Sequence, residues 1–341
     1  MEFEANELYG SIADPLPINA TNFVQQTFAV NSGWNWVSFN VYSDEFNDLN
    51  IAMSDFDAEI HDLIKSQTDF TTYKSSGEWF GALTSLDVMS TYKLNASNAQ
   101  TFSMSGYRVV ADTVQIPVST GWNWIGYPLS VQKTLMEALS SLTPSDNDII
   151  KSQHQFAVYS ELQGWIGSLT YMQPGKGYIL YSSSEGVLEY TSGVTAKTNI
   201  EIDDDSDLPS TEQNMTIIAE LELINPELYD VFAYDEYGIC GKAKPIKLTD
   251  GSVRFFITIN SAAPETIHFE AKTLYGRLYA NETIGFKSNQ MQGSLDDPML
   301  LTFGKEDVSV FADVYPNPFR KDISLNFYLN DDQEVQLKLY N

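Results

Sequence analysis

The strongest constraint on this chain is internal, because part of it is written twice. "SGWNWVSF" at Ser32–Phe39 returns as "TGWNWIGY" at Thr120–Tyr127, and "IKSQ" at Ile64–Gln67 returns at Ile150–Gln153. Gly33 and Gly121 lie 88 positions apart, Ile64 and Ile150 86 apart. The second offset also carries Phe70 to Phe156, Tyr73 to Tyr159, Trp79 to Trp165, Gly81 to Gly167, Tyr92 to Tyr178 and Leu94 to Leu180. So many matches in one register mark a tandem duplication. Each copy, at about 90 residues, is too long for a solenoid repeat and reads as a small domain.

Within a copy the local patterns agree. "FAVNSGWNWVSFNV" alternates large and small residues across a Ser-Gly turn, with Phe28 and Val30 on one arm, and predicts a hairpin. "SVQKTLMEALSSLTP" places Val131, Leu135, Leu139 and Leu142 on one helical face, with Ser130 as N-cap and Pro144 past the end. The first copy has "SDEFNDLNIAM", with Ser43 capping and Phe46, Leu49 and Met53 on one face. Three short strands follow, such as "QFAVYS", "GWIGSL" and "GYILYS", separated by glycine turns. Each copy therefore reads as a small α+β module dominated by antiparallel pairing.

The remaining chain changes pattern. Residues 194–213 are rich in Asp, Ser and Thr and read as an acidic linker. From Asn214, "MTIIAELELI", "SVRFFITIN" and "TIHFEAKT" alternate with period 2, which predicts an immunoglobulin-like β-sandwich over 214–305. The fold class is thus mainly β with α+β: an extension over 1–26, modules over 27–107 and 108–193, the linker, the sandwich, and the start of a further β domain over 306–341.

That last segment carries a recognisable motif. Val314, Tyr315, Pro316, Asn317, Pro318 and Phe319, followed by "ISLNFYL" and "VQLKLYN", resemble the start of the type A C-terminal sorting domain of type IX secretion substrates in Bacteroidota. The resemblance covers Tyr315–Asn341 and implies export by that machinery to the outer-membrane surface or beyond, with the domain cut short at Asn341. The duplicated stretch Thr27–Gly193 is similar to a tandem module of large extracellular proteins in the same bacteria, for which no catalytic role is implied. The first copy departs from it at Asp87–Thr91, where "DVMST" stands in place of "QPGKG". "MEFEANELYGS" has no apolar run and does not read as a signal peptide, so the start reads as a fragment or a mature chain with an added Met.

Charge and motifs narrow the chemistry. A formal net charge of −27 disfavours nucleic acid and anionic lipid as partners. No run is apolar and long enough for a membrane helix. The single cysteine, Cys240, reads as a buried filler, and His61, His154 and His268 are too scattered to suggest a metal site. There is no Gly-x-Ser-x-Gly, and "PGKGY" at Pro174–Tyr178 reads as a hairpin turn and not a phosphate loop. The expectation is a non-enzyme, a fragment of a secreted or cell-surface bacterial protein acting in adhesion or as a spacer and presentation region. A carbohydrate-binding accessory region of a polysaccharide-degrading enzyme is the alternative, and a carboxylate-based hydrolase the weakest one. Calcium is the one cofactor raised, at Asp203, Asp204, Asp205 and Asp207, though the spacing lacks the glycine and distal Glu of an EF-hand. For binding to a glycan or another surface protein, the tryptophans lead. Trp34 and Trp36 share one strand face, as do Trp122 and Trp124, while Asn35 and Asn123 face the other way. Two readings stand. Either the indoles stack on sugars with the amides binding hydroxyls, or, the better-supported reading, they fill the module core. Trp79 and Trp165, at glycine-flanked hairpin tips, are the better candidates for exposed contacts.

Overall fold

The computed structural model describes residues 22–191, 208–262, 265–273 and 276–303, plus the backbone of two short strands at 312–315 and 324–327. The protein is mainly β, in multiple largely antiparallel sheets with only short helical turns.

The first repeat contains β1 (Phe23–Val30), β2 (Gly33–Val37), β3 (Val41–Tyr42), the one-turn helix α1 (Leu49–Ala52), β4 (Leu63–Lys65), β5 (Phe70–Tyr73), β6 (Trp79–Gly81), β7 (Tyr92–Ala96) and β8 (Gln100–Arg108). Five strands make one sheet in the order β2-β7-β4-β5-β6, and β1-β8-β3 makes a second. Their inward faces meet. Phe28, Val30, Phe102 and Met104 from the smaller sheet pack with Val37, Ile64 and Leu94 from the larger. Phe28 and Phe102 stack with ring centres 4.9 Å apart. Around the 3-10 turn and α1, Phe46, Leu49 and Met53 close one side, as their spacing predicted, and Ser43 caps the turn by accepting the Glu45 N–H at 3.3 Å. Each such buried aromatic or aliphatic side chain contributes roughly 2 kcal/mol.

The expected hairpin across Ser32-Gly33 does not form. β1 pairs along its whole length with β8, and β2 pairs with β7, so the two arms belong to different sheets. A side chain directs this corner. The Asn35 carboxamide accepts the Asn31 N–H at 2.9 Å and donates to Asn31 O at 2.8 Å and Gly33 O at 3.0 Å. Those bonds hold the chain in a sharp turn that Gly33, at φ +94°, can adopt without strain. β1 also begins at Phe23, four residues ahead of the expected start of the module.

The second repeat contains β9 (Gln115–Val118), β10 (Gly121–Ile125), β11 (Lys133–Thr134), α2 (Leu135–Ala138), β12 (Ile149–Lys151), β13 (Phe156–Ser160), β14 (Gly164–Gly167), β15 (Tyr171–Met172), β16 (Tyr178–Ser182) and β17 (Gly186–Glu189). Its main sheet, β10-β16-β12-β13-β14, reproduces the first one strand for strand. The helix is shorter than its sequence suggests. Thr134, not Ser130, is the N-cap, in a capping box with Glu137, because Lys133–Thr134 pairs with Tyr171–Met172 and holds the chain extended up to that point. Val131 is consequently exposed, while Leu135 and Leu139 are buried.

The third unit contains β18 (Met215–Leu221), β19 (Asp230–Asp235), β20 (Gly238–Ala243), β21 (Pro245–Lys247), β22 (Val253–Ile259), β23 (Thr266–Lys272), β24 (Arg277–Gly285), β25 (Met291–Gln292) and β26 (Met299–Leu301). Its two sheets, β21-β22-β18-β25 and β20-β19-β23-β24, enclose a common core that includes Ile217, Phe255, Ile257, Val231 and Phe269, which makes it a β-sandwich. The alternation seen in the sequence is kept, but β18 pairs in parallel with β25 and β26. Cys240 lies inside this core, where burial pushes its thiol up to about 12.

The three units are not beads on a string. The outer face of the second repeat's main sheet, with Ile149, Phe156 and Val158, packs on Ile218 and Phe256 of the sandwich. The Phe156 and Phe256 rings stand 5.4 Å apart. The end of the expected linker is also fixed: Leu208 is buried and Ser210 O accepts the Trp34 N–H at 3.2 Å. β27 (Ala312–Tyr315) and β28 (Ser324–Phe327) form an antiparallel pair.

Candidate functional site

β2 and β10 are both edge strands, so each turns one row of backbone N–H and C=O groups away from its own sheet. The repeats cover these rows for one another. The Gln153 carboxamide accepts the Trp36 N–H at 3.1 Å and donates to Trp34 O at 2.7 Å. Gln67, its counterpart, accepts the Trp124 N–H at 2.8 Å and donates to Trp122 O at 2.8 Å. The exchange continues outward. Gly177 N–H donates to Trp36 O and Thr91 N–H to Trp124 O, at 3.0 and 3.3 Å. Each "IKSQ" therefore recognises the other copy's "GWNW" through main-chain bonds, and the two recurring phrases are the two halves of one interface.

The indoles lie on the outer sheet faces and enclose three lysines. Lys93 Nζ sits 3.9 Å from the Trp36 ring centre and 4.6 Å from that of Trp124. Lys65 lies 5.9 and 5.8 Å from Trp34 and Trp124, and Lys151 lies 4.7 Å from Trp122. In a chain so acidic, the only carboxylate paired with this group among the described residues is Glu212, which binds Lys65 through its side chain and receives the Lys93 ammonium on its backbone oxygen. Lys151 donates to Asn289 Oδ1 at 3.3 Å. Lys93 is 1% exposed. Burial, reinforced by the charges of Lys151 and Lys65 and opposed by Glu212, pushes its ammonium down to about 6. Burial alone lowers Lys151 to about 8.

The residues singled out from the sequence fall in three places. Trp34, Trp36, Trp122 and Trp124 meet at this junction, Trp36 buried and the others half-buried; none joins the apolar core of its module. Period 2 puts them opposite the core-facing Asn35 and Asn123, whose amides are engaged by the turn. Trp122 also packs toward the sandwich, against Tyr181. Trp79 does not project from a hairpin tip. It is 7% exposed, packed between Phe56 and Tyr73, and its backbone N–H donates to Asn50 Oδ1 at 2.7 Å. Trp165 is half-buried against Tyr159 and the second core. The short β5–β6 and β13–β14 hairpins fold their tryptophans back onto the module, because glycines at 81 and 167 let the arms close. Trp79→Ala is expected to lose about 3–5 kcal/mol in urea denaturation, the cost of emptying a core site; a loss below 1 kcal/mol would contradict this placement. Asp203, Asp204, Asp205 and Asp207, and Pro316, Asn317, Pro318 and Phe319, lie outside the described residues; of Tyr315 only the strand backbone is described.

Gln67, Gln153, Lys65 and Lys151 carry no signature of their own in one copy, and Lys93 does not recur at all, its counterpart being Ile179. For the first four the signal is recurrence in "IKSQ", which has no reason to be kept as a core phrase, since Lys, Ser and Gln do not fill cores. Beside the junction lies a cleft of about 610 Å³ between Thr27–Val37 of the first repeat and Ser152–Gln155 and Ser168–Tyr178 of the second. Its side chains are mostly neutral and polar. Among the described residues no group of three His, Cys, Asp or Glu side chains could hold a metal ion, and no helix is long and apolar enough to cross a membrane. No family model and no curated protein matches this chain.

Proposed function

We propose that this chain is a non-catalytic, stiff spacer and presentation region of a secreted or cell-surface bacterial protein, acting in adhesion and exported by the type IX machinery through its C-terminal segment. The observation that carries the reading is the reciprocal seating of Gln67 and Gln153 on the other repeat's edge strand. It turns two modules into one body, and Phe156 against Phe256 ties the sandwich to it. A body of this kind transmits position: whatever stands at one end is held at a fixed distance and angle from the other. The immunoglobulin-like identity of the third unit, and attachment at the outer-membrane surface, belong to the same proposal.

Small-angle X-ray scattering tests it. The parent protein should scatter as a single rigid particle, and Gln67→Ala/Gln153→Ala should widen the distribution of maximum dimensions. Each glutamine provides two hydrogen bonds, so the double variant should also lose about 2–4 kcal/mol of stability. Scattering from the parent that requires independently moving modules would overturn the proposal.

A further inference from the structure

The smaller sheet of the first repeat has one face in the core and one face in solvent, and the open face is unusual for this chain. Phe23, Tyr107 and Tyr42 occur at paired positions on β1, β8 and β3, so they form one row across three adjacent strands. All three are exposed, at 53%, 59% and 54%. Neighbouring strands lie about 4.8 Å apart, which makes the row about 10 Å long. Phe23 and Tyr107 meet edge to face with ring centres 5.4 Å apart. Further along the same face come Gln25 opposite Ser105, then Thr27 opposite Ser103, their hydroxyls 3.2 Å apart.

Three features point to the occupant. Neither β1 nor β8 places a carboxylate on the face from Phe23 to Thr27, although the chain has 46 acidic residues. Among the described residues, the one carboxylate bonded to the row is Asp44, which accepts from the Tyr42 hydroxyl at 3.4 Å at its end. The row also belongs to the first repeat alone: among the described residues, the smaller sheet of the second repeat is only the pair β9–β17 and starts at Gln115, the counterpart of Thr27. Finally, Thr27 also lines the cleft between the repeats, so the aromatic row and the polar cleft are neighbouring parts of one surface. Aromatic faces suit apolar C–H surfaces, and amides and hydroxyls suit hydroxyl groups. An uncharged chain that offers both along its length is a neutral polysaccharide. A net charge of −27 excludes an acidic one by repulsion.

We propose that the row Phe23–Tyr107–Tyr42 is the anchor of a binding track for a neutral polysaccharide, running along β1 toward the cleft between the repeats. Native affinity electrophoresis of the whole chain through gels containing hydroxyethylcellulose, xylan, mixed-linkage β-glucan or polygalacturonate tests it. At least one neutral polymer should retard the parent, and polygalacturonate should not. Phe23→Ala/Tyr42→Ala/Tyr107→Ala should weaken retardation at least tenfold with an unchanged melting temperature, since the three side chains are outside the core, and Tyr107→Phe alone should keep most of it. Any of three results overturns the proposal: no retardation of the parent, equal retardation of the triple variant, or preference for polygalacturonate. The scattering test of stiffness is independent of all three.

Discussion

Replacing Lys93 by methionine is expected to make the protein more stable, by about 1–4 kcal/mol, with the gain largest in acid. The reason is the site. Lys93 is enclosed by Trp36 and Trp124 with the positive charges of Lys65 and Lys151 nearby. A lysine held at about 6 instead of 10.5 binds its proton less readily in the folded chain than in the unfolded one. Between those values the unfolded state carries more protons, so stability rises with pH from about 6 to about 10.5. Below pH 6 the buried ammonium exerts its full cost, roughly 6 kcal/mol at most. The indole faces and the Glu212 carbonyl offset part of it. Methionine fills the same volume without a charge and leaves Glu212 its bond with Lys65. Paired denaturant titrations of parent and Lys93→Met at pH 5.5, 7.5 and 9.5 check this: the difference should shrink as pH rises. A variant less stable than the parent at pH 5.5 would show that the aromatic enclosure, and not desolvation, dominates.

Gly167→Ala should act in the other direction and cost about 3–5 kcal/mol. A methyl group there would lie 2.2 Å from Phe156 O and 2.5 Å from Ala157 Cα. Both are backbone atoms of the partner strand, so no side-chain rotation relieves the clash. The close approach has a purpose, because Phe156 O accepts the Leu169 N–H at 3.0 Å just beyond the glycine. Gly81 occupies the equivalent place, 2.4 Å from Phe70 O by the same measure. Gly285→Ala, where nothing lies within 4 Å, serves as control and should change stability by less than about 0.5 kcal/mol. Equal denaturation midpoints for the two variants would refute the argument.

Much of the architecture was readable from one dimension. The duplication, the strand-rich character, the Ser43 cap and the alternating strands of the third unit follow from periodicity and turn residues, which are local properties. The errors share a different cause. Asn35 looked like a free amide because its partners, Asn31 and Gly33, are made available only by a corner no propensity encodes. Trp36 looked like core because a large indole on a strand usually is; here the core side of that strand holds Val37 and Asn35, and the indole covers a lysine. Trp79 looked exposed because its flanking glycines suggest a tip, whereas Gly81 permits the close packing that buries it. In each case the deciding partner lies in another strand or another module, beyond the reach of local pattern.

The exchange of glutamines has a consequence for the order in which the chain can complete itself. Trp34 and Trp36 are among the earliest residues of the first repeat, yet their outward bonds come from Gln153, Gly177 and Ser210. Until those distant residues have been made, one sheet ends in an unfinished margin. The related exchange by Gln67 and Thr91 is built on a pseudo-twofold axis, the symmetry of a two-subunit assembly held within one polypeptide. Covalent connection in tandem gives each half a partner at fixed stoichiometry, so the margin is closed by the chain's own second half before a stranger can pair with it.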